Sequence, residues 1–197
     1  MKLPNAVHTS RPWRIHELAG DFRLEDVWAL LTPGAAEEFP ILVEGLAAAD
    51  PAKALPHAAR VLWLLRWKLG DLFGLDDPGG GVGSRVTTLR ERLPDDLCAT
   101  TGPVFESLPF TSLYLTDDEF AAEIANQTMH GILHLGWVAD GKGGYRGQMA
   151  VYVKPNGLLG NAYMAAIKPF RHVVVYPQML RVMERRWYER HNGETPA

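Results

Sequence analysis

The sequence predicts an α+β domain: a curved antiparallel sheet packed on a long C-terminal helix. Three observations predict it. The run from Phe110 to Pro155 reads as four strands in consecutive hairpins. The segment from about Met164 to Arg190 follows with an amphipathic helical stripe of Ile167, Phe170, Val174, Leu180, Met183 and Trp187. Between them stands no Rossmann-type glycine motif, which would need GxGxxG after a strand.

The hairpins set their own registers. Asp117-Asp118 forms a two-residue turn that places Leu115 opposite Phe120 and Leu113 opposite Ala122. A turn at Gln127-Thr128 places Ile124 opposite Gly131 and Ala122 opposite Leu133. The DGKGG loop then sets Trp137 opposite Tyr145, Leu135 opposite Gly147 and Leu133 opposite Met149. Side chains alternate across a strand, so one face collects Leu113, Leu115, Phe120, Leu133, Leu135, Trp137, Tyr145 and Met149. The other collects Tyr114, Glu123, His130, His134, Arg146, Gln148, Tyr152 and Lys154, and is expected to meet water. The apolar face requires a cover, which the C-terminal segment supplies with a break or kink between Pro169 and Pro177.

Upstream, residues 1–20 read as an N-terminal arm with Trp13 as an anchor, and residues 21–190 as one domain. Phe22 to Leu31 alternates as a strand, with Phe22, Leu24, Asp26, Trp28 and Leu30 on one face. Ala35 to Ala49 and Pro56 to Leu75 read as helices, the second with a stripe of Leu62, Leu65, Leu69 and Leu72. DDPGGGVGS is an exposed loop, and Ser84 caps a short helix reaching about Leu93. Residues 191–197 read as a disordered tail.

Composition narrows the function. Among 197 residues, 47% are hydrophobic, enough for a sizeable core. A net charge of −3 gives no concentrated positive field for nucleic acid. The Arg181, Arg185, Arg186 and Arg190 cluster reads as a solvated helix end. The single Cys98 excludes an intrachain disulfide and fits a reducing, cytoplasmic setting. No signal peptide or membrane span is read, because Lys168, Pro169, Arg171 and His172 interrupt the most apolar late stretch.

Two candidate sites deserve chemistry. His130 and His134 suggest a metal pair, but four strand residues span roughly 13 Å, whereas zinc ligands sit about 2 Å from the ion. They read as solvated sheet histidines, and no metal or other cofactor is expected. Asp26 interrupts an apolar register, which would bury a carboxylate. With Arg66 as its partner, it is a polar anchor or acid/base group in a cavity, a structural salt bridge, or a residue turned to solvent by a bulge. Trp28, Trp137, Tyr145, Met149 and Tyr163 would line the same cavity, or serve as ordinary core. Arg171 and His172 are read at the surface.

HGILHLGWV, YRGQMAVYVKPNGLLG and IKPFRHVVVYP through MLRVMERRW, with DFRLEDVWALLTPG upstream, resemble a bacterial family known as domain of unknown function 2867. That family resembles the SRPBCC, or START-like, helix-grip superfamily, which includes the birch-pollen allergen and polyketide cyclases. The resemblance implies a sheet wrapped around the C-terminal helix, with a hydrophobic or amphipathic ligand held between them. It leaves two other readings open: a cofactor-free cyclase or dehydratase, and an interaction module whose polar sheet face or C-terminal segment docks a partner, for example a second copy of the chain.

Overall fold

The computed structural model describes residues 1–50, 82, 86–126 and 128–192. The predicted Pro56 to Leu75 helix with Arg66, the DDPGGGVGS loop apart from Val82, and Ser84 with them lie outside the described residues, as does the tail beyond Asn192.

Six strands form one antiparallel sheet in the order β1-β2-β6-β5-β4-β3. They are β1 (Lys2–Leu3), β2 (Arg23–Ala29), β3 (Thr111–Leu115), β4 (Glu119–Ala125), β5 (Met129–Ala139) and β6 (Tyr145–Pro155). Helices α1 (Ala6–Thr9) and α2 (Ile15–Leu18) lie in the arm, and α3 (Phe39–Ala47) follows β2. A 3-10 turn at Leu89–Arg92 and α4 (Asp95–Cys98) precede the hairpins. The C-terminal helix is α5 (Gly157–Phe170), a π-helical turn at Arg171–Val175, and α6 (Tyr176–Asn192). The kink expected between the two prolines is that π turn, because a proline nitrogen cannot close the regular ladder.

One face of the sheet matches expectation. Phe120, Leu133, Leu135, Trp137 and Met149 pack beneath Phe39, Leu42 and Leu46 of α3 and Leu180, Met183 and Trp187 of α6. The second hairpin has the expected register, with Ala122 opposite Leu133 and Ile124 opposite Gly131. The third is shifted by two residues: Ala139 opposes Tyr145, Trp137 opposes Gly147 and Leu135 opposes Met149. The five loop residues 140–144 allow β5 to run on to Ala139. An even shift leaves every side chain on its expected face.

Two bulges alter the faces. Between Ser112 and Tyr114 the β3 register shifts, and Leu113 joins the opposite cluster instead of the helix-covered face. Between Leu24 and Asp26 the β2 register also shifts. Phe22 and Leu24 therefore pack on the opposite face, while Trp28 and Leu30 remain beneath the helices.

The larger correction concerns the polar face. Most of it is covered by the arm and by residues 89–97, and only its margin, at Lys154, is exposed as expected. Trp13, Ile15 and Leu18 from the arm, with Leu89, Leu93 and Leu97, pack onto Tyr114, Ala121, Ile132, Ala150 and Tyr152. His130 is 5% exposed and His134 is fully buried. Trp13 does anchor the arm: its ring lies flat enough on β5 that a Cβ on Gly136 would come within 2.6 Å of it.

Glu119 and Glu123 make this burial tolerable. They lie on one face of β4, and each accepts a hydrogen bond from a diagonal histidine of β5. His134 Nε2 donates to Glu119 at 3.0 Å and His130 Nε2 to Glu123 at 2.8 Å. Each carboxylate then caps part of the covering layer. Glu119 accepts from the backbone N–H of Arg14 and of Ile15, both at 2.8 Å, and from the Tyr114 hydroxyl. Glu123 accepts from the Leu89 N–H at 3.1 Å and from the Thr88 hydroxyl. Burial is the largest single influence and opposes both charges, yet the histidine bonds together with the Tyr114, Thr88 and backbone donors outweigh it, and both carboxyls lie below their ordinary range.

Candidate functional site

A groove of about 390 Å³ opens where β2 meets α5. Arg23, Leu24 and Glu25 form one wall, and Asn161, Met164, Ala165 and Lys168 the other. Met164 and Ala165 supply its apolar part between Arg23 and Lys168 at the rims, while the Leu24 side chain packs on the opposite face of the sheet.

Its end is built by two local irregularities that meet. Successive strand residues normally point to opposite faces, so Glu25 and Asp26 should diverge. The β2 bulge turns both toward the C-terminal helix. Opposite them, the π turn presents the consecutive Arg171 and His172. Arg171 Nη2 donates to Glu25 at 3.2 Å, and His172 Nε2 donates to Asp26 Oδ1 at 2.8 Å. Arg171 is buried rather than at the surface as expected, whereas His172 remains 23% exposed and is engaged on both ring nitrogens. π turns concentrate at functional positions because they re-aim side chains that a regular ladder would separate.

Asp26 is 1% exposed. Its second cation is Lys2 of β1, with Nζ 2.7 Å from Oδ1. Burial alone would raise this carboxyl, but the bonds from His172 and Lys2 hold it below its ordinary range. His172 Nδ1 lies 3.0 Å from the Lys168 carbonyl, so neither nitrogen is free to take a proton from a bound molecule. Trp28 and Tyr176 close the cluster, their ring centroids 5.6 Å apart. Asp26 Oδ2, Trp28 Nε1 and the Tyr176 hydroxyl are all buried without a hydrogen-bond partner. Burial, with the nearby Asp26 and Glu25 charges, pushes the Tyr176 hydroxyl up against the opposing pull of Arg171. The cluster therefore offers a fixed anion and polar groups for orientation.

Of the residues expected to share a site, Asp26, Trp28 and Met149 lie together, with Trp28 opposite Met149 in the β2–β6 ladder. Trp137 and Tyr145 lie at the other end of the sheet, stacked at 6.4 Å and packed with Phe39 and Trp187. Trp137 Nε1 donates to the Ala35 carbonyl at 2.9 Å, as a core tryptophan does. The side chain of Tyr163 and all of Arg66 lie outside what is described. Sequence reasoning missed Lys2, Glu25 and Tyr176. The available signal was the adjacency of Glu25 to Asp26 and of Arg171 to His172, two acids and two bases at consecutive positions.

Among the described residues, no group of three or more His, Cys, Asp or Glu is arranged to hold a metal ion, and no helix is long and apolar enough to cross a membrane. A family model described as "Protein of unknown function (DUF2867)" matches residues 18–178. The chain belongs to that family. Nothing among curated proteins or solved structures matches it. The DUF2867 match runs from the end of α2 to the start of α6, and so takes in both walls of the groove and the Asp26 cluster.

Proposed function

We propose that this DUF2867 protein binds a small amphipathic molecule with an anionic end, in a helix-grip-type arrangement of sheet and C-terminal helix. The observation that carries the reading is the groove between β2 and α5, with Met164 and Ala165 set between its Arg23 and Lys168 rims. Its volume falls in the range of small-molecule sites. Glu25 pairs with both Arg171 and Arg23, so three cations, with Lys168, stand against this one carboxylate and the surplus charge at the rims is positive. The apolar part of the ligand replaces water on Met164 and Ala165, and its anionic end lies between the two cations.

Decanoate is the test probe, with decylamine as its charge-reversed control, titrated by calorimetry. Decanoate is expected to bind, decylamine to bind at least tenfold more weakly, and Ala165→Trp to abolish decanoate binding by filling the groove. No heat with either probe, together with a clean apo mass by native mass spectrometry before organic extraction, overturns the reading.

Acid–base catalysis of the cyclase or dehydratase kind is the second reading, favoured by the unpartnered Asp26 Oδ2 and Tyr176 hydroxyl. Against it stand an Asp26 held ionised and a His172 with both nitrogens occupied. Asp26→Asn separates the two. Decanoate affinity within threefold of the parent supports binding without a catalytic Asp26. A solvent-exchange reaction on a bound ketone that Asp26→Asn abolishes supports catalysis.

A further inference from the structure

We propose that residues 1–20 form an acid-released strap, latched to the sheet by a cluster of the buried His8 and His134 with the half-buried His16. The proposal concerns the face opposite the groove and does not depend on what the groove binds.

The strap touches the sheet through few regular contacts. Its strand β1 pairs only Lys2 with Trp28 and Leu3 with Val27. Helices α1 and α2 are single turns. Trp13, Ile15 and Leu18 anchor it by apolar burial. The rest of its attachment is polar and buried. His8 is fully buried, with Nδ1 3.1 Å from Gln148 Oε1 and Nε2 2.8 Å from the Tyr152 hydroxyl. The His8 ring centroid is 4.8 Å from that of His134 and 5.4 Å from that of His16.

Every element packed here contributes a titratable or charged group. The strap brings His8, His16 and the Arg11 guanidinium over Trp13. β3 brings Tyr114, β4 brings Glu119, β5 brings His134, and β6 brings Tyr152. Arg14 lies at the margin, paired with Glu17 and with Asp96 of α4. Three imidazoles thus share one carboxylate, Glu119, and His134 and the strap's own backbone already engage it. A second cation here finds only the neutral Gln148 and Tyr152 oxygens, with no carboxylate of its own. Trp13 Nε1, His16 Nε2, His134 Nδ1 and Gln148 Nε2 are also buried and unpartnered, so the latch already carries unmet hydrogen-bonding demand.

The sign follows from the surroundings. Burial, then the neighbouring His134, hold His8 down at about 3, and burial lowers His16 as well. Both histidines therefore bind protons more readily once the strap has left. The closed strap keeps its full stability above about pH 6.5, the ordinary histidine value, and loses it as pH falls toward the closed-state values. Protonation of Glu119 below its unfolded value weakens the α2 cap in the same direction. Release also withdraws Lys2 from Asp26, since Lys2 belongs to the strap and Asp26 to β2.

Hydrogen exchange of the full chain, read by mass spectrometry at pH 7.5 and pH 5 and corrected for intrinsic exchange, tests this. Protection across residues 6–20 is expected to fall by more than tenfold, with β5 and β6 unchanged. Equal loss in the strap and in β5–β6, or an unchanged strap, overturns the proposal. In His8→Gln, whose amide can still reach Gln148 and Tyr152, the pH dependence of strap protection should flatten by at least threefold. An unchanged slope removes His8 from the latch. If that variant does not fold, the comparison of strap with β5–β6 in the parent protein still decides.

Discussion

Glu119→Ala is expected to destabilise the protein by about 3–5 kcal/mol, the usual cost of removing one partner from a buried, hydrogen-bonded charge pair. The carboxylate serves four donors at once: two backbone N–H groups at the start of α2, the Tyr114 hydroxyl and His134. Alanine leaves all four facing a void that is closed to water. Glu119→Gln keeps the shape and one carbonyl oxygen, but its amide nitrogen faces a donor, so a loss of about half that size is expected. Urea unfolding followed by tryptophan fluorescence measures both. Losses under about 1 kcal/mol for the alanine variant would show that the arm is not held through this residue. Because Arg14 and Ile15 belong to the arm, cleavage by trypsin after Arg14 should also accelerate in the folded alanine variant.

That network shows how far the sequence can be read. The registers written from the turns place Ile124 opposite Gly131, and the same ladder puts Glu119 opposite Gly136 and Glu123 opposite Ile132. His134 and His130 are then the diagonal neighbours, within reach of long side chains. The acid–histidine pairs were therefore legible from spacing alone. Their burial was not. It depends on residues 1–20 folding back over the sheet, and a short arm with scattered apolar residues carries no periodic signal of where it lies. The alternation that marked the hydrogen-bonding face as polar is the pattern of a solvated sheet, but here polar side chains meet polar side chains from the arm.

The candidate site fails to read from sequence for a different reason. Asp26 was legible as a carboxylate in an apolar register, and the structure buries it. Its partners come from the first residues of the chain and from a π turn far along it. Neither a bulge in β2 nor a π turn has a sequence signature strong enough to fix the direction of one side chain. Proline positions 169 and 177 announced an irregularity without giving its geometry.

Trp187→Ala is expected to cost about 3–5 kcal/mol, the range for truncating a buried large aromatic. Trp187 is among the largest fully buried side chains. It packs 5.5 Å from Trp137 and stacks on His191 at 5.4 Å, and its ring lies so near Gly34 that a Cβ there would come within 2.8 Å. The surroundings cannot close over the missing indole, since α6 is tied to the sheet edge by Glu184, which accepts from the Leu31 N–H at 3.0 Å. Trp187→Phe keeps most of the contact and should lose less than half as much. The prediction also separates stability from binding. Trp187, Trp137 and Tyr145 fill one end of the layer between sheet and helix, while the groove lies at the other, along α5. Decanoate affinity of folded Trp187→Ala should therefore stay within threefold of the parent, measured below the unfolding transition. A tenfold loss of affinity in that variant would place the ligand in the packed end of the layer, against Trp137 and Tyr145.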